Sequence, residues 1–382
     1  MNANSLEVVV FQLDNSGRFD SIGEINKYTS LSWPDKYNGF SSFELRAPVT
    51  EENQYLIQKG NVVWCGGDNA CVIEIISSET NVDGQKTYSV KGRTLEMLLT
   101  TRIVWGTYNT SKKYTSTIMY ELVNRNCVYP QMTYRKIPFL ECAPDEGLGK
   151  QTPYQVTGGE VYEALLELAD DSELGFDVLF RPLEKKLIFK VTQGVDRSVT
   201  PVAQGDPAPV LLSTDLEDIL SSSYYTNNQE VKNVAYVAGE GEGDNRKRVV
   251  SGESYASGFS RRELYVDARD LRTEVFDDSG NSTTLSLNEY LEVLSGRGDE
   301  KLSNYTSVET FDVQIRVAGG QYAYGVDYNK GDKVIAQDLD LGIQIVGRVT
   351  EIRENYGSKQ ELLLTFGYSY PTLIRKLKQQ LS

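Results

Sequence analysis

The sequence contains no histidine among its 382 residues. Histidine is the commonest general base and a frequent metal ligand, because its unperturbed pKa lies close to neutral pH. Its absence excludes Ser-His-Asp and Cys-His catalysis, and also the zinc sites that are built on histidine. Chemistry that uses carboxylates alone stays open. The composition therefore favours a protein that is not an enzyme.

Cysteine is scarce, and no two cysteines form a CxxC pair; they are Cys65, Cys71, Cys127 and Cys142. A Cys65–Cys71 disulfide across a tight hairpin is geometrically allowed, but free thiols in a reducing compartment are the favoured interpretation. No apolar run reaches the roughly 20 residues of a membrane-spanning helix, and the N-terminal segment lacks the pattern of a signal peptide. We expect a soluble protein without a membrane anchor.

Basic residues are outnumbered, with 39 Lys and Arg against 54 Asp and Glu and a net charge of −15. A protein that holds nucleic acid needs a basic stripe that neutralises phosphates, and the sequence shows none. An acidic wall does, however, suit a channel through which DNA only slides. The charge therefore argues against DNA binding but allows DNA in transit.

The pattern along the chain predicts a β-rich α+β multidomain fold. Residues 1–106 form a first β-rich domain of short strands separated by turn signals, as in a sandwich or barrel; the strands are 6–13, 19–25, 43–47, 62–64, 70–77 and 87–90. Residues 107–213 form an inserted α+β domain with helices at 115–126 and 159–171 and strands at 175–181 and 186–192.

Residues 214–370 return to a β-rich pattern with strands at 220–226, 233–240, 311–317, 333–336, 344–351 and 360–366. A polar, Gly-rich stretch at 239–260 predicts a long exposed loop or a flexible hairpin tip, and a helix near 285–303 has a weak point at Gly296–Gly298. Residues 371–382 predict a basic amphipathic helix. We therefore expect two β-barrel or sandwich-like tube domains on either side of the inserted α+β domain.

Three short motifs suggest chemistry but are better explained as turns or chance. The stretch 239–244 (GEGEGD) lacks the GK[ST] ending of a phosphate loop. Asp277, Ser279 and Asn281 alternate like calcium ligands, but the glycine and the closing glutamate are out of place. The tripeptide Arg297-Gly298-Asp299 arises easily by chance. None of the three predicts a cofactor or metal site.

Two carboxylate clusters are the only candidates for catalysis, and they consist of Glu167, Asp170 and Asp171 and of Asp215, Glu217 and Asp218. A pair of carboxylates is what a glycosidase requires. Carboxylates at this spacing more often form a solvated helix face or an N-terminal cap. We predict no catalytic residue.

Tyrosine is the commonest aromatic residue of the chain, with 24 Tyr against 12 Phe and 3 Trp. Since tyrosine is enriched at protein interfaces, this excess favours extensive subunit contacts.

Four segments in order resemble the baseplate hub and tail-tip proteins of long-tailed phages, the family that also forms the N-terminal part of tail-associated lysins. They are IGEINKYTSLSWPDKYNGFSSFELRAP, VKGRTLEMLLTTRIV, GGEVYEALLELADDSELGFDV and YNKGDKVIAQDLDLGIQIVGRVTEIRENYGSKQELLLTFG, at residues 22–48, 90–104, 158–178 and 328–367. Phe40 departs from the pattern, since a second glycine is common there. No peptidase or muramidase segment follows the last match, so we expect a hub without a lysin domain.

The resemblance implies a homotrimer whose two tube-like domains build a ring at the end of the tail tube. Its implied partners are the distal tail or tail tube protein, the tape-measure protein and a tip, spike or receptor-binding protein. The protein would be made in the bacterial host cytoplasm and reside in the tail tip or baseplate of a phage or a phage-tail-like particle. A cell-wall carbohydrate-binding adhesin and a carboxylate-dependent cell-wall hydrolase are the alternatives.

Four residues of the last matching segment are expected to serve the fold rather than a site. Gly331 and Asp332 are predicted to form the tight turn before the strand at 333–336. Arg348 and Glu351 are predicted to lie on neighbouring strand positions and to form an ion pair, which at a rim would contribute about 0–1 kcal/mol.

Overall fold

The fold is described by a computed structural model that covers residues 6–199, 201, 205–276, 282–316 and 320–367. Within these residues the strands are β1 Val9–Leu13, β2 Phe19–Glu24, β3 Ser30–Lys36, β4 Ser42–Pro48, β5 Val62–Trp64, β6 Ala70–Thr80, β7 Lys86–Thr94, β8 Thr107–Tyr114, β9 Leu140–Cys142, β10 Gln151–Thr157, β11 Gly175–Arg181, β12 Lys186–Thr192, β13 Leu211–Ser213, β14 Ile219–Asn227, β15 Val234–Ala238, β16 Arg248–Gly252, β17 Glu263–Asp267, β18 Glu274–Phe276, β19 Ser282–Thr284, β20 Val308–Ile315, β21 Lys333–Asp338, β22 Ile343–Tyr356 and β23 Gln360–Gly367. The α-helices are α1 Glu51–Leu56, α2 Thr115–Val123, α3 Val161–Ser172 and α4 Leu287–Ser303.

One sheet runs through both β-rich regions of the chain. Its order is β14-β20-β23-β22-β3-β4-β7-β6-β5-β1-β2, and β21 and β13 extend it from β22. The two regions join where β3 pairs antiparallel with β22, in a register that runs from Lys36 opposite Glu351 to Leu31 opposite Tyr356. The β-rich fold class is confirmed. The barrel that the sequence allowed is not formed, because the described strands leave this sheet open at β14 and β2.

Alternating burial explains why these segments are strands. In β4, Phe43, Leu45 and Ala47 are fully buried while the residues between them are exposed. Val90 of the neighbouring β7 and Leu31 of β3 pack into the same core. A strand with this period of two presents one apolar face, and burial of each such side chain contributes about 1.5–3 kcal/mol.

The α+β region packs against the first β-rich region. A small sheet of order β11-β12-β9 is covered by α2 and α3, whose Leu122 and Leu165 are fully buried. The Phe180 ring of β11 stacks on Phe19 with the ring centroids 5.2 Å apart, and it meets Phe11 edge to face. These aromatic contacts place both regions on one continuous core. The chain divisions predicted at 106/107 and 213/214 stay predictions.

A second small unit consists of α4 packed on the sheet of order β16-β15-β17. Two sequence predictions differ here. The stretch at 239–260, predicted as a long loop or a hairpin tip, contains the strand β16, which forms an antiparallel hairpin with β15. The helix α4 continues without a break through Gly296–Gly298. Gly298 belongs in the helix because a Cβ there would lie 2.1 Å from the Ser251 hydroxyl oxygen of β16. The close packing of α4 on β16 at this position therefore requires a glycine.

Three further points concern β3, the cysteines and the chain ends. Pro34 and Asp35 are typical turn residues, yet they lie in the strand β3. The pairing of β3 with β4 ends at Ser32, so the missing N–H of Pro34 removes no hydrogen bond on that side. The four cysteines are free, as expected. No helix of the described residues is long and apolar enough to cross a membrane. The basic helix predicted at 371–382 lies outside the described residues.

Candidate functional site

A buried charged junction forms where three distant parts of the chain meet. Lys330 lies just before β21, and its Nζ is 2.5 Å from Oδ1 of Asp177 in β11. The same ammonium group also bonds to Asp35 at the end of β3. Burial disfavours the charged form of Lys330, but Asp177 and Asp35 offset this effect and raise its pKa. One lysine thus connects both β-rich regions to the α+β region.

Glu96 adds a third carboxyl group to this junction from a short 3₁₀ helix at Leu95–Thr101. Its Oε1 accepts a hydrogen bond from the Val178 main-chain N–H at 2.8 Å. Burial, together with the charge of Asp177, raises the pKa of Glu96 to about 7. A polar cavity of about 360 Å³ adjoins the cluster. Burial thus favours the protonated form of Glu96, and the single charge of Lys330 offsets part of the charge of Asp35 and Asp177.

Tyr37, directly after β3, holds the same three parts together through its hydroxyl group and its ring. The hydroxyl donates to the Glu173 carbonyl oxygen at 3.1 Å and accepts from the Gly194 N–H at 3.0 Å. The ring lies against Gly175 and Gly331, where any Cβ would approach it closer than the 3.0 Å that real contacts respect. Both glycines are therefore required by the ring.

Gly331 and Asp332 form the turn that enters β21. Gly331 has a φ of +87°, a conformation that favours glycine. Asp332 is buried, with 3% of the residue exposed. It accepts from the Val195 N–H at 2.8 Å and from Nε of Arg197 at 2.8 Å. The turn thus anchors the segment that follows β12.

Arg348 of β22 reaches the end of α3. Its Nη2 lies 2.8 Å from Oε2 of Glu173, and Lys333 approaches the same oxygen at 2.7 Å. Lys333 first, and then Arg348, lower the pKa of Glu173 against the opposing effect of burial. The ion pair predicted between Arg348 and Glu351 is not formed. The two residues are three positions apart in β22, which separates them by roughly 10 Å. Glu351 pairs with Arg353 at 2.7 Å instead.

Glu167, one of the candidate catalytic carboxylates, lies in a cleft of about 60 Å³ between α3 and α4. There it forms a hydrogen bond with Glu300 of α4. Burial, followed by the charge of Glu167, raises the pKa of Glu300 to about 7, and Arg297 opposes this shift. Two carboxyl groups in direct hydrogen bond are closer than the roughly 5–9.5 Å that glycosidases use. This pair is a contact between helices.

The other candidate residues are placed in ordinary structural roles. Asp170 accepts from Asn38, Asp171 pairs with Lys150, and Glu217 pairs with Arg316. Asp218 is buried and accepts from the Gln321 N–H at 2.7 Å, while Asp215 donates its N–H to the Ser213 hydroxyl.

Two of the three sequence motifs lie within the described residues and have ordinary places in the fold. The tripeptide at 297–299 lies inside α4, and residues 239–244 connect β15 to β16. The calcium candidates Asp277, Ser279 and Asn281 lie outside the described residues. Within the part of the chain that the structure describes, no three acidic or cysteine side chains are grouped to hold a metal ion.

A family model described as siphovirus ReqiPepy6 Gp37-like protein matches residues 10–368 of the chain. The chain belongs to this family. The recognition of a tail protein family of long-tailed phages is therefore confirmed, and the chain is a structural protein of a phage tail. A search of curated protein sequences found no match.

Three solved structures share the fold along nearly the whole chain. The tail protein from Neisseria meningitidis MC58 matches with a TM-score of 0.54 and 14% identity over 96% of this chain and 97% of that one. The 43 kDa tail protein of prophage MuSo2 from Shewanella oneidensis matches with a TM-score of 0.55 and 12% identity over 95% of this chain and 98% of that one. Prophage tail protein gp18 from Listeria monocytogenes EGD-e matches with a TM-score of 0.50 and 11% identity over 98% of each chain.

The four segments that carry the family resemblance converge on the charged junction. Tyr37 and Asp35 lie in the first, Glu96 in the second, Asp177 in the third and Lys330 in the fourth. Sequence reasoning selected Gly331, Asp332 and Arg348 but missed these five residues. Their presence in the matching segments was the available signal.

Proposed function

We propose that the chain is a hub subunit of the tail tip or baseplate, and that three copies form a ring. The ring joins the distal tail or tail tube protein to the tip, spike or receptor-binding protein. It leaves a passage for the tape-measure protein and for DNA. The observation that carries this proposal is the open sheet that extends across both β-rich regions.

The two ends of that sheet favour assembly. Among the described strands, β14 pairs only with β20 and β2 pairs only with β1. The nine residues of β14 include no charged residue and no proline, the devices by which proteins usually protect an edge strand. A strand of this kind is suited to pairing with another chain. Ring closure is one arrangement that supplies such a partner to every copy.

The charged junction supports a rigid subunit. Lys330 and Tyr37 tie three parts of the chain together through groups that are buried. A ring that transmits force between the tube and the tip benefits from subunits whose parts do not rotate against one another. The net charge of −15 is compatible with a lumen that does not retain DNA.

Immunogold labelling of purified particles that contain this protein tests the proposed location. Antibodies against the chain should label one end of the tail, opposite the capsid where a capsid is present. Particles that lack the gene should lose the label and the tip structure together. Label along the whole tube, or on the capsid, would contradict a hub.

One observation favours a second candidate function, the binding of cell-wall saccharide. Tyr236 and Tyr265 are cross-strand neighbours on the open face of the β16-β15-β17 sheet, with ring centroids 6.3 Å apart. Both are exposed, at 42% and 51%. Such a pair offers a flat apolar surface beside polar groups. Pull-down with host cell walls tests this candidate, and binding that Tyr236→Ala abolishes would support it.

A further inference from the structure

A basic and aromatic face stands out on the α+β region of this acidic chain. It is formed by Arg102, Ile103, Trp105, Tyr134 and Arg135, and we refer to it as the basic aromatic face. Residues 102–136 contain six basic residues and one acidic residue. This segment thus has a net charge of +5. The rest of the chain carries −20, and the two together give the total of −15.

The face is held in place by hydrogen bonds to the main chain. The Arg135 guanidinium lies 4.8 Å from the Trp105 ring centroid and donates to the Ile103 carbonyl oxygen at 2.7 Å. Arg102 donates to the carbonyl oxygens of Arg135 and Lys136. A surface that is already ordered loses little conformational entropy when a partner binds.

The two guanidinium groups of the face have no carboxylate partner among the described residues. Arg102 and Arg135 bond to main-chain carbonyl oxygens, and Arg102 bonds also to the Thr101 hydroxyl. Other partly buried arginines of this chain pair with carboxylates, as Arg93 does with Glu74 and Arg197 with Asp332. The face therefore presents positive charge that the described part of the chain does not neutralise.

Three large side chains close to these arginines in the sequence are exposed. Trp105 is 54% exposed, Tyr134 81% and Ile103 45%. Tryptophan, tyrosine and arginine are the residue types that contribute most to binding energy at protein interfaces. Their combination at one place indicates a contact that a partner protein covers.

The charged groups of the face favour an acidic protein surface over nucleic acid as its partner. Nucleic acid would require several donors aimed at phosphates, but Nε, Nη1 and Nη2 of Arg102 are all engaged with carbonyl oxygens. An acidic protein surface needs only the positive potential and the exposed rings. A second copy of this chain supplies such a surface, because its residues outside 102–136 carry a net charge of −20. In a ring, each contact joins two different faces, which allows basic to meet acidic.

We infer that the basic aromatic face is one half of the subunit interface, and that it contacts an acidic surface of the next copy. This inference rests on the proposed ring and specifies which surface closes it. The contact should weaken as salt screens the charges.

Trp105→Ala and Arg135→Glu test this inference, measured as molecular mass against protein concentration by light scattering. Leu183→Ala and Lys59→Glu are the controls, because they make matched changes at exposed residues outside the face. Each test variant should raise the dissociation constant of the assembly about thirtyfold or more, while the controls leave it unchanged. Melting curves check that all four variants remain folded. Acrylamide quenching of tryptophan fluorescence should fall as the wild-type protein assembles.

The outcomes separate this inference from the proposed function. A wild-type oligomer that both test variants preserve would overturn the inference and leave the ring in place. A wild type that is monomeric at every concentration would overturn the second copy as partner and count against the ring as well. Binding of a single-stranded DNA oligonucleotide that Arg135→Glu abolishes, with unchanged mass, would show that the face serves a polyanion instead.

Discussion

Lys330 and Asp177 form a buried ion pair with 2.5 Å between Nζ and Oδ1, although 153 residues separate them along the chain. Asp35, which is 295 residues from Lys330, completes the cluster. Breaking such a cluster leaves uncompensated charge in a poorly solvated place, so the junction has consequences that can be measured.

Lys330→Met should lower the free energy of unfolding by roughly 3–5 kcal/mol, because the buried Asp177 and the partly buried Asp35 both lose their counter-charge. Urea denaturation measures this change. Lys91→Met is the matched control, since Lys91 and its partner Glu44 are both about half exposed, at 46% and 51%. Such a pair contributes about 0–1 kcal/mol. Equal effects of the two substitutions would refute a special role for the junction.

Gly331→Ala should lower the free energy of unfolding by roughly 2–4 kcal/mol. The substitution combines the cost of a left-handed backbone conformation with a clash against the Tyr37 ring. Gly325→Ala is the control, because Gly325 has a similar φ of +82° but nothing within 4 Å of its would-be Cβ. It should cost only about 1 kcal/mol. Denaturation curves that give both variants the same stability would show that the Tyr37 side chain tolerates a Cβ at position 331.

Glu96 should make the protein less stable as pH rises through neutrality. Its folded-state pKa of about 7 lies above the ordinary value of 4.5, so the folded state binds the proton more tightly than the unfolded state. The stabilisation is fully present below the ordinary pKa and is lost as pH rises through about 7, to an extent of roughly 3 kcal/mol.

Glu96→Gln should remove that pH dependence while it keeps an oxygen to accept from Val178. We expect the variant to match the wild type near pH 5 and to exceed its stability near pH 8 in denaturation series. Glu52→Gln, at an exposed position of α1, should follow the wild-type curve. A Glu96→Gln curve parallel to that of the wild type would contradict the assigned pKa.

Glu300 should control the contact between α3 and α4 in the same pH range. Below about pH 7 one proton bridges Glu167 and Glu300, and above it two adjacent carboxylates repel each other. Hydrogen exchange in α4, corrected for its intrinsic pH dependence, should be faster at pH 8.5 than at pH 6. In Glu300→Gln this difference should vanish, while Glu292→Gln, exposed on the same helix, should retain it. Exchange that is insensitive to pH in the wild type would argue against a shared proton.

The sequence was sufficient for elements whose signal is local. The strands at Val62–Trp64, Gly175–Arg181 and Lys186–Thr192 have the predicted bounds, because alternation and turn residues mark both ends of each. The strand β16 was missed since most of its residues are exposed and lie in a polar, Gly-rich stretch.

The junction could not be predicted, because its determinants are contacts between distant segments. Nothing near Lys330 in the sequence indicates that Asp35 and Asp177 will surround it. The same limit explains the Arg348–Glu351 prediction. Proximity in sequence suggested that pair, whereas the fold brings Glu173 to Arg348 from 175 residues away. The glycine at 331 was recognised as a turn residue, but its contact with Tyr37 depends on the three-dimensional arrangement.

The mass of the purified protein in solution tests the central claim most directly. Native mass spectrometry combined with negative-stain microscopy, over a range of concentrations, measures mass and symmetry together. Three copies of the 42.8 kDa chain should give about 128 kDa, as threefold rings with a central hole. A protein that remains at 42.8 kDa at every concentration, alone and with its distal tail protein, would contradict the hub.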